Sequence, residues 1–320
     1  MSSHPLYNKG EVVAKKFQKD EKRRDCMKIA VIGSCNIDFV VESDRLPERG
    51  ETLTASTFFT SPGGKGANQA VASAKLGGDV TFFGSVGNDP FGDDMLDAMN
   101  RVGIDTTYVQ RVEEPTGIAL IQLAEGDNRI TVVPGANERT DRAYLDAMRE
   151  TLATYDMIVM QLEIPMQTVE TVVERAEAHQ TILIDPAPAA RLARHVLDRV
   201  DYLLPNETEY AIALQTDRSI EETLVRTRDG LLITRGGEGV SYNEAGVVHH
   251  VAPEPVDVID TTGAGDTFAG AFAVALSEQM TLHEAVRFAN RAGAQATTKK
   301  GAQEGMPRRE QIDGTMDDTN

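Results

Sequence analysis

The feature that most constrains this chain is a repeated unit: a short apolar run that ends in a polar cluster and is followed by a helical stretch. Residues 157–162 lead into Glu163, 181–184 into Asp185-Pro-Ala-Pro188, 202–204 into Pro205-Asn-Glu-Thr-Glu209, and 231–234 into Arg235-Gly-Gly-Glu-Gly239. Helical periodicity over 141–151 and 166–179 alternates with them. Strands that alternate with helices build a parallel sheet, the mark of an α/β fold. Such sheets take their ligands at the carboxyl ends of the strands. Glu163, Asn206, Glu209, Gly236 and Asp266 are thereby expected on one face.

The segment 258–272 carries the strongest chemical signal. Two carboxylates, Asp260 and Asp266, flank a Gly263-Ala264-Gly265 turn, and Phe268, Phe272, Ala275 and Leu276 then recur at helical spacing. Val258 and Ile259 read as a strand end. A helix N-terminus presents unpaired N–H groups and a positive dipole end, and so binds anions. Asp266 in that first turn is suited to take a proton from an alcohol that attacks a phosphate. A plain N-cap is the alternative, but a cap needs neither two glycines nor a second acid upstream.

The first strand, 28–33, ends in Gly33-Ser-Cys-Asn-Ile-Asp38. Asn36 and Asp38 are two apart, so an extended backbone points both the same way. An amide beside a carboxylate can clamp adjacent sugar hydroxyls; a polar turn is the plainer reading. Ser61-Pro-Gly-Gly-Lys-Gly-Ala-Asn-Gln69 follows a β segment expected at 52–60 and opens a helix over 67–76. It is not a Walker loop, because Gly64-Lys65 is followed by Gly66 and not by Ser or Thr. A glycine-rich sugar-binding turn with Asn68 as donor and acceptor fits better. Lys65 is either a further contact or a solvated side chain.

Residues 79–84 read as a strand and 90–102 as an amphipathic helix. The alternating segments 107–112, 117–124 and 129–133, the last two joined by Gly126-Asp127-Asn128, break the helix–strand rhythm. With 52–60 they suggest a small separate sheet, a β lid built from about 38–61 and 107–134. An exposed sheet wants a cover, which points to a second subunit. Near the C-terminus two helices, 264–277 and 282–297, precede a loop at 298–305 with several backbone carbonyls available as ligands. A last helix is expected over 308–316, with a frayed tail at 317–320.

Length allows one large α/β domain or two modest ones. The formal charge of −18 argues against a nucleic-acid partner, and no apolar run is long enough to span a membrane. Two cysteines, Cys26 and Cys35, are no disulfide framework and suit a reducing, cytoplasmic setting. Cys35 reads as a small buried filler. His249-His250 would face opposite sides of a strand, which disfavours a shared metal. Residues 1–26 are polar and Lys-rich without a periodic apolar face, so a disordered leader is expected and the fold starts at Met27. No Gly-x-Gly-x-x-Gly follows the first strand, which counts against a dinucleotide enzyme.

These motifs together resemble the ribokinase-like carbohydrate kinases. Gly33-Ser-Cys-Asn-Ile-Asp38 and Gly63-Gly-Lys-Gly-Ala-Asn-Gln69 are similar to the family's sugar-binding signature, Pro205-Asn-Glu-Thr-Glu209 to its Asn-x-x-Glu motif, and Asp260-Thr-Thr-Gly-Ala-Gly-Asp266 to its C-terminal signature. The resemblance spans about residues 28–312. It implies a doubly wound α/β domain, a mostly parallel sheet with helices on both faces, plus a β lid that often joins a homodimer. It also implies ATP-dependent phosphorylation of ribose at the 5-hydroxyl; another sugar, deoxyribose or a nucleoside is the alternative substrate, and a non-catalytic sugar-binding regulator a third reading. Carried over, Asn36, Asp38, Gly64, Lys65, Asn68 and Glu163 would hold the sugar and Asp266 would be the base. Gly263, Ala264 and Gly265 would form the anion hole. Asn206, Glu209, Thr234, Arg235, Gly236, Gly237, Glu238, Gly239, Gly265 and Asn290 would border the nucleotide and its Mg²⁺. Potassium or another monovalent cation would sit among Asp260, Thr262, Ala296, Lys299, Gly301 and Gly305. The family commonly has Ser where Gly305 stands, and glycine offers no side-chain oxygen.

Overall fold

The computed structural model describes residues 27–125 and 127–313. The expected leader at 1–26, Gly126 of the expected turn, and the tail lie outside the described residues. Strand β1 (Lys28–Ile32) is central. Around it lie β4 (Asp79–Gly87), β5 (Val109–Val112), β8 (Met157–Met160), β9 (Thr181–Ile184) and β10 (Tyr202–Leu203), in the order β10-β9-β8-β1-β4-β5 with every pairing parallel. Bridges Leu203↔Leu231 and Asn206↔Thr234 carry the sheet on to an antiparallel set, β11 (Leu232–Thr234), β12 (Val240–Glu244) and β13 (Val247–Val251).

Alternation along β1 divides the interior into two layers. Ile29 and Val31 pack into one core, Ala30 and Ile32 into the other, and all four are fully buried. The first core takes helices α1 (Lys65–Lys75), α2 (Pro90–Arg101), α8 (Ala264–Ser277) and α9 (Leu282–Ala296). The second takes α3 (Arg142–Leu152), α4 (Met166–Arg175), α5 (Arg194–Arg199), α6 (Tyr210–Ala213) and α7 (Ile220–Arg226). Helices therefore cover both faces, as a doubly wound sheet requires. Short helices α10 (Ala302–Gly305) and α11 (Arg309–Asp313) close the described chain.

The lid is a four-stranded sheet, β3-β2-β6-β7, of β2 (Asn36–Glu42), β3 (Thr57–Gly63), β6 (Gly117–Ala124) and β7 (Asp127–Val133). Segment 107–112, expected in the lid, instead gives β5 at the edge of the central sheet. It runs parallel to β4 after the crossover helix α2, the arrangement a βαβ unit imposes. The strand expected at 52–60 is shifted to Thr57–Gly63, and it includes Pro62. β3 is an edge strand, where a missing N–H costs no ladder bond. Val258 and Ile259 form no strand: they lie in an exposed loop, and the Ile259 and Asp260 N–H groups both donate to Thr297 O. The loop expected at 298–305 contains α10, and α11 is the described part of the helix expected at 308–316.

Candidate active site

Asp266 lies in the first turn of α8 and is buried. Both of its oxygens are held by side-chain amides of α1. Asn68 Nδ2 donates to Oδ2 at 2.9 Å and Gln69 Nε2 to Oδ1 at 3.2 Å. Each amide is itself oriented by another. Gln303 Nε2 donates to Asn68 Oδ1 at 3.0 Å, and Gln161 Nε2 donates to Gln69 Oε1 at 2.6 Å. The helices can come this close because Gly270 of α8 has no side chain: a Cβ there would stand 2.7 Å from Gln69 O and 2.8 Å from Ala72 Cβ.

Lys65 enters the same cleft, so its solvated reading does not hold. Its Nζ lies 3.8 Å from Asp266 Oδ1 and 3.9 Å from Asp185 Oδ2. Burial alone would lower the lysine, but the Asp266, Asp185, Glu163 and Glu209 carboxylates more than offset it and raise the ammonium above its ordinary value. Asp185 is buried at the end of β9 and accepts from Gln69 Nε2 at 2.8 Å.

The sugar-side residues converge where the lid meets the sheet. β2 pairs Asn36 with Gly63 of β3 and Gly117 of β6. A Cβ at Gly63 would overlap the Asp38 carboxylate, so glycine there makes room for it. Burial, with Glu163, Asp266 and Glu304 nearby, pushes Asp38 up to about 7. Asn36 Oδ1 accepts from Asn137 Nδ2 at 2.7 Å. Gly64 caps α1 at φ 86°, a left-handed conformation in which its backbone closes on Cys35 and Asn36. Glu163 is partly structural: its Oε2 accepts from Ser34 Oγ at 2.6 Å and from the Lys65 N–H at the helix start at 3.0 Å. Cys35 is fully buried, and burial pushes its thiol well above the ordinary value, as suits a core filler.

The nucleotide-side residues form a more open shelf. Asn206 Oδ1 accepts from the N–H groups of Thr208 and Glu209, while Glu209 Oε2 accepts from the Asn206 N–H at 2.9 Å, so the motif braces its own turn. Gly236, Gly237 and Glu238 are exposed, and Arg235 pairs with Glu238 at 2.5 Å. A pocket of about 320 Å³ opens beside Ala252, Pro253, His283, Arg287 and Asn290. Asn290 Nδ2 donates to Ala252 O at 2.7 Å and anchors that loop. In the anion turn, Gly263 adopts φ 76° and Gly265 faces open space, but the Ala264 N–H donates to Thr261 O at 3.2 Å. The turn therefore offers fewer than its three expected amides.

The expected cation loop does come together. Asp260 accepts from Thr262 N at 2.9 Å and Gly301 N at 2.9 Å, and these bonds more than offset its burial and hold the carboxyl below its ordinary range. A Cβ at Gly305 would overlap Ala296 O, with Lys299 O 3.6 Å away. The oxygens that gather here are of the class a hard cation takes. Among the described residues no group of three or more His, Cys, Asp or Glu could hold a metal.

A buried carboxylate at a glycine turn thus stands beside a lysine and a second acid, with Asp38 of the β lid near enough to feel its charge. Residues 27–309 match the description "pfkB family carbohydrate kinase". The chain belongs to the pfkB family of carbohydrate kinases. It is similar to a ribokinase of Bacillus subtilis, 44% identical over 287 residues that cover 89% of this chain and 98% of the relative. A deoxyribokinase of Salmonella typhi is 36% identical over 298 residues, covering 89% and 97%. A solved Arabidopsis thaliana ribokinase, complexed with ribose and ATP, superposes with a TM-score of 0.78 at 32% identity, covering 90% of this chain and 98% of that one.

For this pfkB kinase the sequence brought Asp266, Asn68, Lys65, Asp38 and Glu163 to the cleft. It missed Asp185, Gln69, Gln161 and Gln303. Asp185 stands directly after a strand, so the strand-end rule could have flagged it. The glutamines carry no signal of their own, because only the packing of α1 on α8 gives them an acid to hold.

Proposed function

We propose that this kinase transfers the γ-phosphoryl group of ATP to the 5-hydroxyl of ribose. The observation that carries the reading is Asp266: a buried carboxylate gripped by two amides at the N-terminus of α8. It accepts the hydroxyl proton as the sugar oxygen attacks phosphorus in line. The Gly263 and Gly265 amides and the Lys65 ammonium stabilise the charge that spreads over the transferring oxygens. Asp38 and Asn36 hold the sugar hydroxyls, and Glu163 Oε1 adds a further acceptor. Thr234 and Gly236 to Gly239 border the phosphates, and Asn290 braces the pocket for the base of the nucleotide. Mg²⁺ bound to ATP would neutralise phosphate charge, held on the protein side near Asn206 and Glu209. A monovalent cation such as K⁺ would take the carbonyls around Ala296 and Lys299, with Asp260 and Thr262 framing it, and would stiffen the anion turn. The lid exposes Phe58, Phe59, Leu120, Ile130, Val132 and Val133, and a second copy of the chain covering this face fits that surface. ATP as co-substrate suits the cytoplasm; among the described residues no helix is long and apolar enough to cross a membrane.

The test is ADP release across a panel of sugars and nucleosides, run on the wild type and on Asp266→Asn. Ribose should be the best acceptor, and the variant should lose about 10²- to 10⁴-fold in kcat. Wild-type turnover by the variant would remove Asp266 from the base role. Deoxyribose is the second reading, favoured by the likeness to a deoxyribokinase. A site built around a hydroxyl-binding Asp38 should reject the deoxy sugar, by up to about 10⁴- to 10⁵-fold in such sites. Equal kcat/KM for the two sugars would defeat the assignment of Asp38.

A further inference from the structure

We infer that Asp185 is a positioning residue for phosphoryl transfer, sharing Lys65 and Gln69 with the base so that neither binds Asp266 fully and Asp266 stays available to the sugar hydroxyl. This rests on the reading of Asp266 as the base. Lys65 Nζ stands almost midway between the two acids, 3.8 Å from Asp266 Oδ1 and 3.9 Å from Asp185 Oδ2. Neither distance is a close ion pair, which would bring nitrogen and oxygen to about 2.7–2.9 Å. Gln69 Nε2 is shared in the same way and leans towards Asp185, at 2.8 Å against 3.2 Å to Asp266. Asp185 is buried, and Gln69 Nε2 and Lys65 Nζ both reach its Oδ2.

The charged groups that bear on Asp185 are Lys65 from α1, Asp266 from α8 and Glu209 from the turn after β10. Burial raises Asp185 most, Asp266 and Glu209 raise it further, Lys65 and Gln69 lower it, and it rests at about 7. Asp38 also feels Asp266, with Glu163 and Glu304. Two neighbouring carboxylates and one ammonium make a balanced set. Remove the charge of Asp185 and the balance between the two nearest acids tips Lys65 towards Asp266, which weakens the base and ties down the lysine. Remove Lys65 and the two acids face each other with no cation between them, which strengthens proton binding at both.

The two changes therefore move the pH profile in opposite directions. Asp185→Asn keeps an acceptor for Gln69. It should lower kcat about tenfold or more, leave KM for ribose within about threefold, and shift the acid limb of kcat to lower pH. Lys65→Met should shift that limb to higher pH, and it tests the inference even if the Asp185 variant does not fold. In the double variant the Asp185→Asn shift towards lower pH should be much smaller than in the presence of Lys65. An unmoved limb in both single variants, or movement in the same direction, overturns the role of Asp185. Asp266→Asn separates the two readings: if it keeps turnover the base assignment fails, and if it loses turnover while both limbs stay still only the inference about Asp185 fails.

Discussion

The glycine-rich turns of this kinase use the same residue for opposite reasons. In the turn that opens α1, the missing side chains make room for the protein itself. A Cβ at Gly66 would stand 2.5 Å from Ser34 N and 2.6 Å from the Gly33 backbone, and one at Gly64 2.8 Å from Asn36 N. At Gly265, Gly236 and Gly237 a Cβ would meet nothing within 4 Å. Those glycines leave space for something the chain does not supply. The proposed sugar side is thus packed in advance, whereas the proposed phosphate side leaves backbone open at Gly265, Gly236 and Gly237.

Substitution should break this contrast. The largest effect is expected from Gly66→Ala, where backbone must move to admit a methyl group. Denaturant unfolding should show a loss of about 1–3 kcal/mol, with sugar turnover falling alongside because the Ser34–Glu163–Lys65 contacts shift. A variant of wild-type stability would mean that the turn is looser than its packing indicates. Gly265→Ala should do the reverse. It sits in the first turn of a helix, where alanine is favoured by up to about 1 kcal/mol, so stability should hold or rise. Steady-state kinetics should show kcat/KM for ATP down at least about tenfold as the methyl group intrudes on the phosphate. Unchanged kinetics would remove that turn from the phosphate site.

The smallest effect is graded with pH and lives on the packed side. Asp38 titrates at about 7 because burial and neighbouring acids disfavour its charge. Below that pH it protonates and loses its grip on two hydroxyls, so KM for the sugar should rise as pH falls from 8 to 6, by at most about tenfold per unit. Its contribution to folding runs the other way. A carboxyl raised above its unfolded value stabilises the fold below the unfolded pKa, and that stabilisation is lost as pH rises through about 7. An Asp38→Asn enzyme should lose the KM trend, read from KM against pH, and show a weaker stability trend in melting curves, because Asp185 contributes to it with the same sign.

The same contrast explains what could be read from the sequence. Open, ligand-facing backbone has a local signature, so Gly236-Gly-Glu-Gly239 and Gly263-Ala264-Gly265 were legible. So were the positions of Asn206 and Glu163 after strands β10 and β8. Contacts made by packing were not. Gln69 reads as one more polar residue of a helix, and the missing side chain at Gly270, about one turn after Asp266, lets it reach Asp185 and Asp266. Val258 and Ile259 looked like a strand by residue type, yet among the described residues no strand pairs with them. Segment 109–112 had the right alternation for the lid, but the helix before it returned it to the main sheet.

The bond from Gln303 to Asn68 links the base to a part of the chain synthesised after almost everything else in the domain. Asp266 takes the Asn68 amide by its nitrogen and Gln303 takes it by its oxygen, so the two partners together leave that amide one orientation. The seat of the buried carboxylate is thus set in part by a residue 235 positions further along the chain than the amide it orients.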